Sequence, residues 1–268
     1  MSNVDAEAIQ LPRTPWRRRQ LFELGDQPWL PETLRRAETD YLAAAVRLTG
    51  PFTPLAPKIA DVLDRTGADR IVDLASGGAG PWPGLAAQIA AARGGRVPAV
   101  TLTDLYPNQR AFDRARAAGL DHAARPVDAR AVPEELSGVR TMFDALHHLS
   151  PVDARAVLAD AHRRRVPIVI GEAMTRSWPI LLTTPLIPLF VLLLTPSIRP
   201  WSGWRLLFTY LIPILPLIIW WDGLVSCLRT YRPAELLALT RGLDGYRWEA
   251  GLLRHKGVAM TYLVGEPA

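Results

Sequence analysis

Residues 70–82 read RIVDLASGGAGPW. A short apolar run stops at Asp73, and Gly77, Gly78 and Gly80 then fall within four positions. Such a run delivers a buried strand into a tight turn, where glycine lets the backbone approach a neighbour with no Cβ in the way. The same unit recurs downstream. AVTLTD, a short ARPVD, GVRTMFDAL and VPIVIGE read as further strands. WPGLAAQIAAARG, NQRAFDRARAAG and SPVDARAVLADAHRRR read as the helices between them, the last entered through a Ser150 cap. Strict strand–helix alternation predicts a doubly wound α/β fold, a parallel sheet with helices on both faces. YRWEAGLL and GVAMTYLVG flank RHK near the end and read as an antiparallel hairpin.

The remaining sequence frames this core. The chain has 268 residues, 49% of them hydrophobic, enough for a large core. PETLRRAETDYLAAAVRL reads as a helix with Pro31 at its first position and Leu34, Tyr41, Leu42, Val46 and Leu48 on one face. LAPKIADVLDRTG reads as a second helix ending at Gly67. The polar start MSNVDAEAIQLPRTPW lacks the apolar run of a signal peptide. Cys227 is the sole cysteine, which excludes an intrachain disulfide and a cysteine-based zinc site, and no metal site is predicted. The net charge of +5 is almost wholly arginine, and no basic stripe or aromatic platform for nucleic acid is present. One block breaks the alternation. SWPILLTTPLIPLFVLLLTPSI and LLFTYLIPILPLIIWW carry no charge, and RPWSGWR between them has the arginines and tryptophans of an interfacial anchor. Three readings stay open for it: a membrane hairpin, a monotopic pair dipping into one leaflet, or a lid or interface. The predicted divisions are an N-terminal helical cap (1–67), the core (68–172), the apolar insertion (173–224) and a C-terminal part of the core (225–268).

Chemistry collects at the carboxyl ends of the strands. Asp73 before the glycines would repel a pyrophosphate and suits a ligand with positive charge. Asp104 closes the second strand, where an acid takes ribose hydroxyls. Asp128 follows the third and can accept from an exocyclic amine. A cap for the next turn or helix is the alternative at each position. An adenosine joined to a cation, as in S-adenosyl-L-methionine, accounts for all three.

VDLASGGAG, LTDLYPN, PVDA and FDALHHL, in this order, resemble the successive motifs of class I S-adenosylmethionine-dependent methyltransferases. The resemblance covers about residues 68–172 and 225–265. It implies a Rossmann-like, seven-stranded, mostly parallel sheet with an antiparallel C-terminal hairpin. It also implies a cofactor site in which Asp73, Ala75, Ser76, Gly77, Gly78 and Gly80 hold the methionine moiety. Asp104 would hold the ribose, Leu105 would pack on adenine beside Asp128 and Ala129, and Asp144 and Ala145 would flank the methionine. Pro81-Trp82-Pro83 and the apolar block depart from the family pattern.

Methyl transfer from a sulfonium is an in-line displacement, helped by a base when the acceptor holds its proton. His147 or His148 is the candidate base, with Glu172 facing the same cleft. Trp29, Tyr41, Arg229 and Tyr231 are candidate substrate contacts, with an Asp222–Arg229 ion pair as the structural alternative for the segment after the insertion. The apolar cover argues for a hydrophobic small-molecule acceptor, with contact to a membrane surface. The expected location is cytoplasmic, peripheral or anchored at the inner face of the membrane. Three other functions compete: an enzyme that cyclises the cofactor's aminobutyl arm, a nicotinamide oxidoreductase, and a non-catalytic scaffold.

Overall fold

The computed structural model describes residues 11–12, 17–82 and 84–268. Most of the polar lead-in, and Pro83 of Pro81-Trp82-Pro83, lie outside the described residues. The chain opens with helices α1 (Glu32–Thr49) and α2 (Ala56–Thr66), then alternates. Strand β1 (Arg70–Leu74) leads through the glycine turn to α3 (Gly84–Ala92). β2 (Ala99–Leu102), α4 (Gln109–Ala117), β3 (Asp121–His122), β4 (Val139–Phe143), α5 (Pro151–Arg163) and β5 (Ile168–Glu172) follow. The insertion holds α6 (Trp178–Thr183), α7 (Ile187–Leu194), α8 (Gly203–Leu206) and α9 (Ile214–Arg229). Helix α10 (Pro233–Leu239) and the hairpin β6 (Tyr246–His255) and β7 (Val258–Pro267) complete the chain.

The seven strands run in the order β3-β2-β1-β4-β5-β7-β6. β7 pairs antiparallel with both β5 and β6, and the other pairings are parallel. Chain order therefore reverses between β1 and β4, the place where open α/β sheets hold ligands. Period-two burial gives the sheet two apolar faces. Ile71, Val100, Val139 and Val169 pack with Ile59 and Leu63 of α2 and Leu85 and Ile89 of α3. Val72, Met142, Ile168 and Ile170 pack with Val157 and Leu158 of α5 and Leu236 and Leu239 of α10.

Three local expectations change. The third strand lies at Asp121–His122 rather than in ARPVD. Pro126 has no N–H for a ladder, and Ala124 and Arg125 face solvent at this sheet edge. Pro31 sits one residue before α1, at its N-cap. The buried stripe of α1 is Leu34, Ala37, Glu38, Tyr41 and Ala44, while Leu42 and Leu48 point outward. That stripe includes an acid, which hydrophobicity alone does not find.

Arg140 on β4 is buried against α5, where its Nη1 donates to Asp160 Oδ2 at 2.7 Å. Removing one partner of a buried pair strands the other charge. Asp160→Ala is expected to destabilise the fold by about 3–5 kcal/mol in urea unfolding, with much of the loss recovered in Arg140→Met/Asp160→Leu.

Candidate active site

The turn after β1 is held from beneath. Asp73 is almost fully buried. Its Oδ1 accepts from the Thr141 hydroxyl at 2.6 Å, and its Oδ2 accepts from the Ser76 hydroxyl at 2.7 Å. Asp73 thus turns inward, away from the direct ligand contact expected from the sequence, because two neighbouring hydroxyls capture both oxygens. Burial pushes its carboxyl up to about 6. The chain above it takes left-handed conformations at Ala75, Gly77, Ala79 and Gly80. For alanine these cost energy, a strain often found at binding turns. A Cβ added at Gly77 or Gly80 would meet nothing within 4 Å, whereas one at Gly78 would strike Thr39 of α1 at 2.9 Å. The turn therefore shows bare backbone to open space on one side and is pressed by α1 on the other. This fits a ligand resting on the backbone itself.

Asp104 stands beside the turn. Its Oδ2 accepts from Gly77 N–H and its Oδ1 from Tyr106 N–H, both at 2.7 Å. Burial raises its carboxyl above the ordinary range. Leu105 and Tyr106 are exposed next to it. Asp128 and Ala129 are half-buried, and the Asp128 carboxylate is taken by Arg130 Nη2 at 2.8 Å, with Arg130 also reaching Asp153. At the end of β4, Asp144 has φ +47°, and its Oδ1 accepts from Ala173 N–H at 2.6 Å. Ala145 leads from it into the short helical turn Leu146–His148.

That turn presents two histidines. Glu172, at the end of β5, accepts from His147 N–H at 3.2 Å and meets His147 Nδ1 at 2.5 Å. His148 Nδ1 lies 3.0 Å from Asp26 Oδ2. The backbone carbonyls of the turn are gripped by two guanidiniums. Arg229 donates to His147 O at 3.2 Å and His148 O at 2.7 Å, and Arg18 donates to His147 O at 2.8 Å and Leu149 O at 2.9 Å. Burial, and after it the Arg229 and Arg18 charges, push His147 well below the usual imidazole range. Burial raises the Glu172 carboxyl to about 7 and that of Asp144 to about 8, the neighbouring Glu172 adding to the latter.

The other candidates divide. Arg229 is in the cluster, but the Asp222–Arg229 pair is not formed. Arg229 Nη1 reaches Asp26 and Glu23 at 3.2 and 3.3 Å instead, and Asp222 accepts from Leu24 N–H and Gly25 N–H at 2.6 and 2.8 Å. The N-terminal segment supplies better partners for both than α9 can. Tyr231 is fully buried under Arg18, its hydroxyl donating to Leu149 O at 2.8 Å, so it supports the histidine turn from behind. Tyr41 lies in the apolar seam with Val191, Leu215 and Ile219, and Trp29 is 64% exposed; neither faces the glycine turn or the histidines through any described contact.

Sequence reasoning missed Glu23, Arg18 and Glu38. Each is one charged residue in an irregular or polar stretch, with no spacing to mark it. Glu38 lies on α1 against Asp222, and burial first, then the Asp222 charge, raises its carboxyl to about 9. The folded chain keeps that proton up to about pH 9, while the unfolded chain releases it near the ordinary value of 4.5. The stability this group contributes is therefore complete below the ordinary value and lost as pH rises through the folded one. Melting temperature is expected to fall between about pH 4.5 and about pH 9, and Glu38→Gln to flatten that fall by several degrees. Equal slopes in both proteins would contradict the raised Glu38 carboxyl.

No protein-family profile and no curated protein matches the chain. Among solved structures, the plantazolicin methyltransferase BpumL in complex with SAH is similar at a TM-score of 0.50 and 9% identity, over 88% of this chain and 98% of that one. The same enzyme with a pentazolic desmethylPZN analog and SAH gives a TM-score of 0.51 at 9% identity, over 88% and 99%. For the mitomycin 7-O-methyltransferase MmcR the TM-score is 0.46 at 18% identity, over 81% of this chain and 54% of that one. The reversal of strand order at the glycine turn, the antiparallel β7 and the likeness to BpumL along nearly its whole length agree: the chain has the Rossmann-like fold of the class I S-adenosylmethionine-dependent methyltransferases.

Proposed function

We propose that the protein is a methyltransferase that uses S-adenosyl-L-methionine to methylate a hydrophobic small-molecule or lipid-like acceptor. The observation that carries this reading is the strained turn 75–80, open above Gly77 and Gly80 at the sheet's switch point and flanked by Asp104. The solved structures of BpumL, in complex with SAH, support it by fold. When bound, the cofactor supplies an electrophilic methyl group. Asp104 would exchange its Gly77 N–H for ribose hydroxyls, and Leu105 would cover the adenine. Asp128 would have to share its carboxylate between Arg130 and an adenine amine. Asp144 and Ala145 would border the methionine end, which brings the methyl toward the histidine turn.

There His148 is the reachable base, its side chain 33% exposed, while His147 is buried on Glu172. Its Nε2 would take a proton from an acceptor hydroxyl or carboxyl, and Asp26 on Nδ1 would fix the tautomer. Arg229 would hold the turn in place. His148→Ala is expected to lower kcat by about 100- to 10,000-fold while leaving S-adenosylhomocysteine affinity within about threefold. Asp104→Ala is expected to weaken that affinity about ten- to hundredfold by titration calorimetry. Mass spectrometry of turnover should find S-adenosylhomocysteine; methylthioadenosine would favour cyclisation of the aminobutyl arm.

The hydrophobic acceptor and membrane contact rest on the insertion. Helix Trp178–Ser197 is long and apolar enough to cross a bilayer, with mean hydropathy 1.9 and 17% of it buried. Gly203–Leu211 and Ile214–Arg229 pass the same test together but bend by 83°. Packing favours a monotopic arrangement, because Val191, Leu215 and Ile219 are fixed against Ala37, Tyr41 and Ala44 of α1. The outer face carries Trp178, Leu182, Leu189, Phe190, Leu193 and Leu211, all exposed. An apolar face of this kind lies in a headgroup boundary. Flotation with phosphatidylglycerol vesicles should carry the protein upward, and Leu189→Glu/Leu193→Glu should leave it at the bottom. Failure of the unaltered protein to float would remove the membrane contact, and equal flotation of the two proteins would remove this face as its site.

A further inference from the structure

Both imidazoles of the Leu146–His148 turn spend Nδ1 on a carboxylate, His147 on Glu172 at 2.5 Å and His148 on Asp26 at 3.0 Å. The rings lie side by side, centroids 4.3 Å apart, which leaves both Nε2 atoms beside Glu23. His147 Nε2 is 3.6 Å from Glu23 Oε1 and His148 Nε2 is 3.7 Å from Glu23 Oε2, both beyond hydrogen-bonding distance. His147 is 3% exposed, and its Nε2 has no hydrogen-bond partner among the described residues. A buried polar atom is rarely left this way. One ligand atom from each of Glu23, His147 and His148 lies within 4.8 Å of the others.

We infer that Glu23, His147 and His148 bind a divalent transition-metal ion of the zinc class. Nitrogen and oxygen ligands at about 2.0–2.1 Å in a tetrahedral shell sit about 3.4 Å from each other; the two Nε2 atoms already lie 3.6 and 3.7 Å from the two Glu23 oxygens, and the ligand atoms, within 4.8 Å of one another, would close further around the ion. A carboxylate on the far nitrogen of each histidine is the arrangement that fixes a metal-binding tautomer and aims Nε2 at the ion. Arg229 Nη1, 3.3 Å from Glu23 Oε1, is the competing cation. Glu23 keeps its second oxygen for the ion, and the nearby carboxylates of Asp26 and Glu172 offset the added charge. Three protein ligands leave a fourth position on the partly exposed His148 side. With the ion bound, His148 Nε2 is a ligand and no longer the base, and the ion would itself ease loss of the proton from an acceptor oxygen held at that position; this consequence rests on the proposed methyl transfer, whereas the binding of the ion does not.

Chelator-treated full-length protein titrated with zinc chloride should take up one equivalent, and cobalt chloride should give the visible bands of a tetrahedral nitrogen–oxygen site. Glu23→Gln and His148→Ala should each weaken zinc binding at least tenfold, and Glu172→Gln about 10- to 100-fold. Circular dichroism and melting are run on each variant to keep loss of fold apart from loss of ligand. S-adenosylhomocysteine affinity, measured in parallel, separates failure of this site from failure of the methyltransferase reading. Absence of stoichiometric zinc uptake would overturn the inference. So would uptake unchanged in folded Glu23→Gln and His148→Ala.

Discussion

The buried carboxylate of Asp73 organises the site. It ties β1 to β4 through Thr141 and to the glycine turn through Ser76. Thr103 N–H and hydroxyl both donate to Asp73 O, at 2.8 Å each, which adds the end of β2. Three neighbouring strand ends are thus locked around one residue. The chain leaving it has no freedom to follow an ordinary loop and takes left-handed backbone at four positions within residues 75–80. Removing water from this carboxylate is costly, and its raised protonation range records the cost. The return is a turn whose open side is set in place before any ligand arrives.

A second constraint joins the remote parts of the chain to this turn. Thr39 of α1 presses on Gly78, while Glu38, one residue earlier, meets Asp222 of α9. Asp222 in turn holds the backbone at Leu24 and Gly25, which positions Glu23 and Asp26 against the histidines. The insertion therefore reaches the histidine turn. Its last helix supplies Asp222 and Arg229, and its seam with α1 sets the wall of the cleft. The burial of Glu38 against Asp222 makes the stability of this wall fall as pH rises.

The doubly wound core, the hairpin and the glycine turn were legible because period-two burial, helix caps and glycine spacing are local signals. The carboxylates at the strand ends were legible by position, but their orientation was not. Asp73 reads as an acid facing a ligand until Thr141 and Ser76, distant and near, are seen to take both its oxygens. Asp222 and Arg229, seven residues apart in an apolar stretch, read as a pair. Each is instead claimed by a segment about two hundred residues away, which no spacing reveals. Tyr41 and Trp29 read as aromatic contacts, but one fills a helix seam and the other faces outward. ARPVD failed as a strand because Pro126 interrupts the ladder at an edge where little burial compensates.

The central claim is that this strained turn and Asp104 together form the seat of a sulfonium nucleoside. A crystal structure of the protein soaked with S-adenosylhomocysteine tests it most directly. The ribose hydroxyls should lie on the Asp104 carboxylate and the amino-acid end over the backbone of residues 75–80. An unfilled crevice, or a nucleoside bound elsewhere with Asp104 still closed on Gly77 N–H, would contradict it.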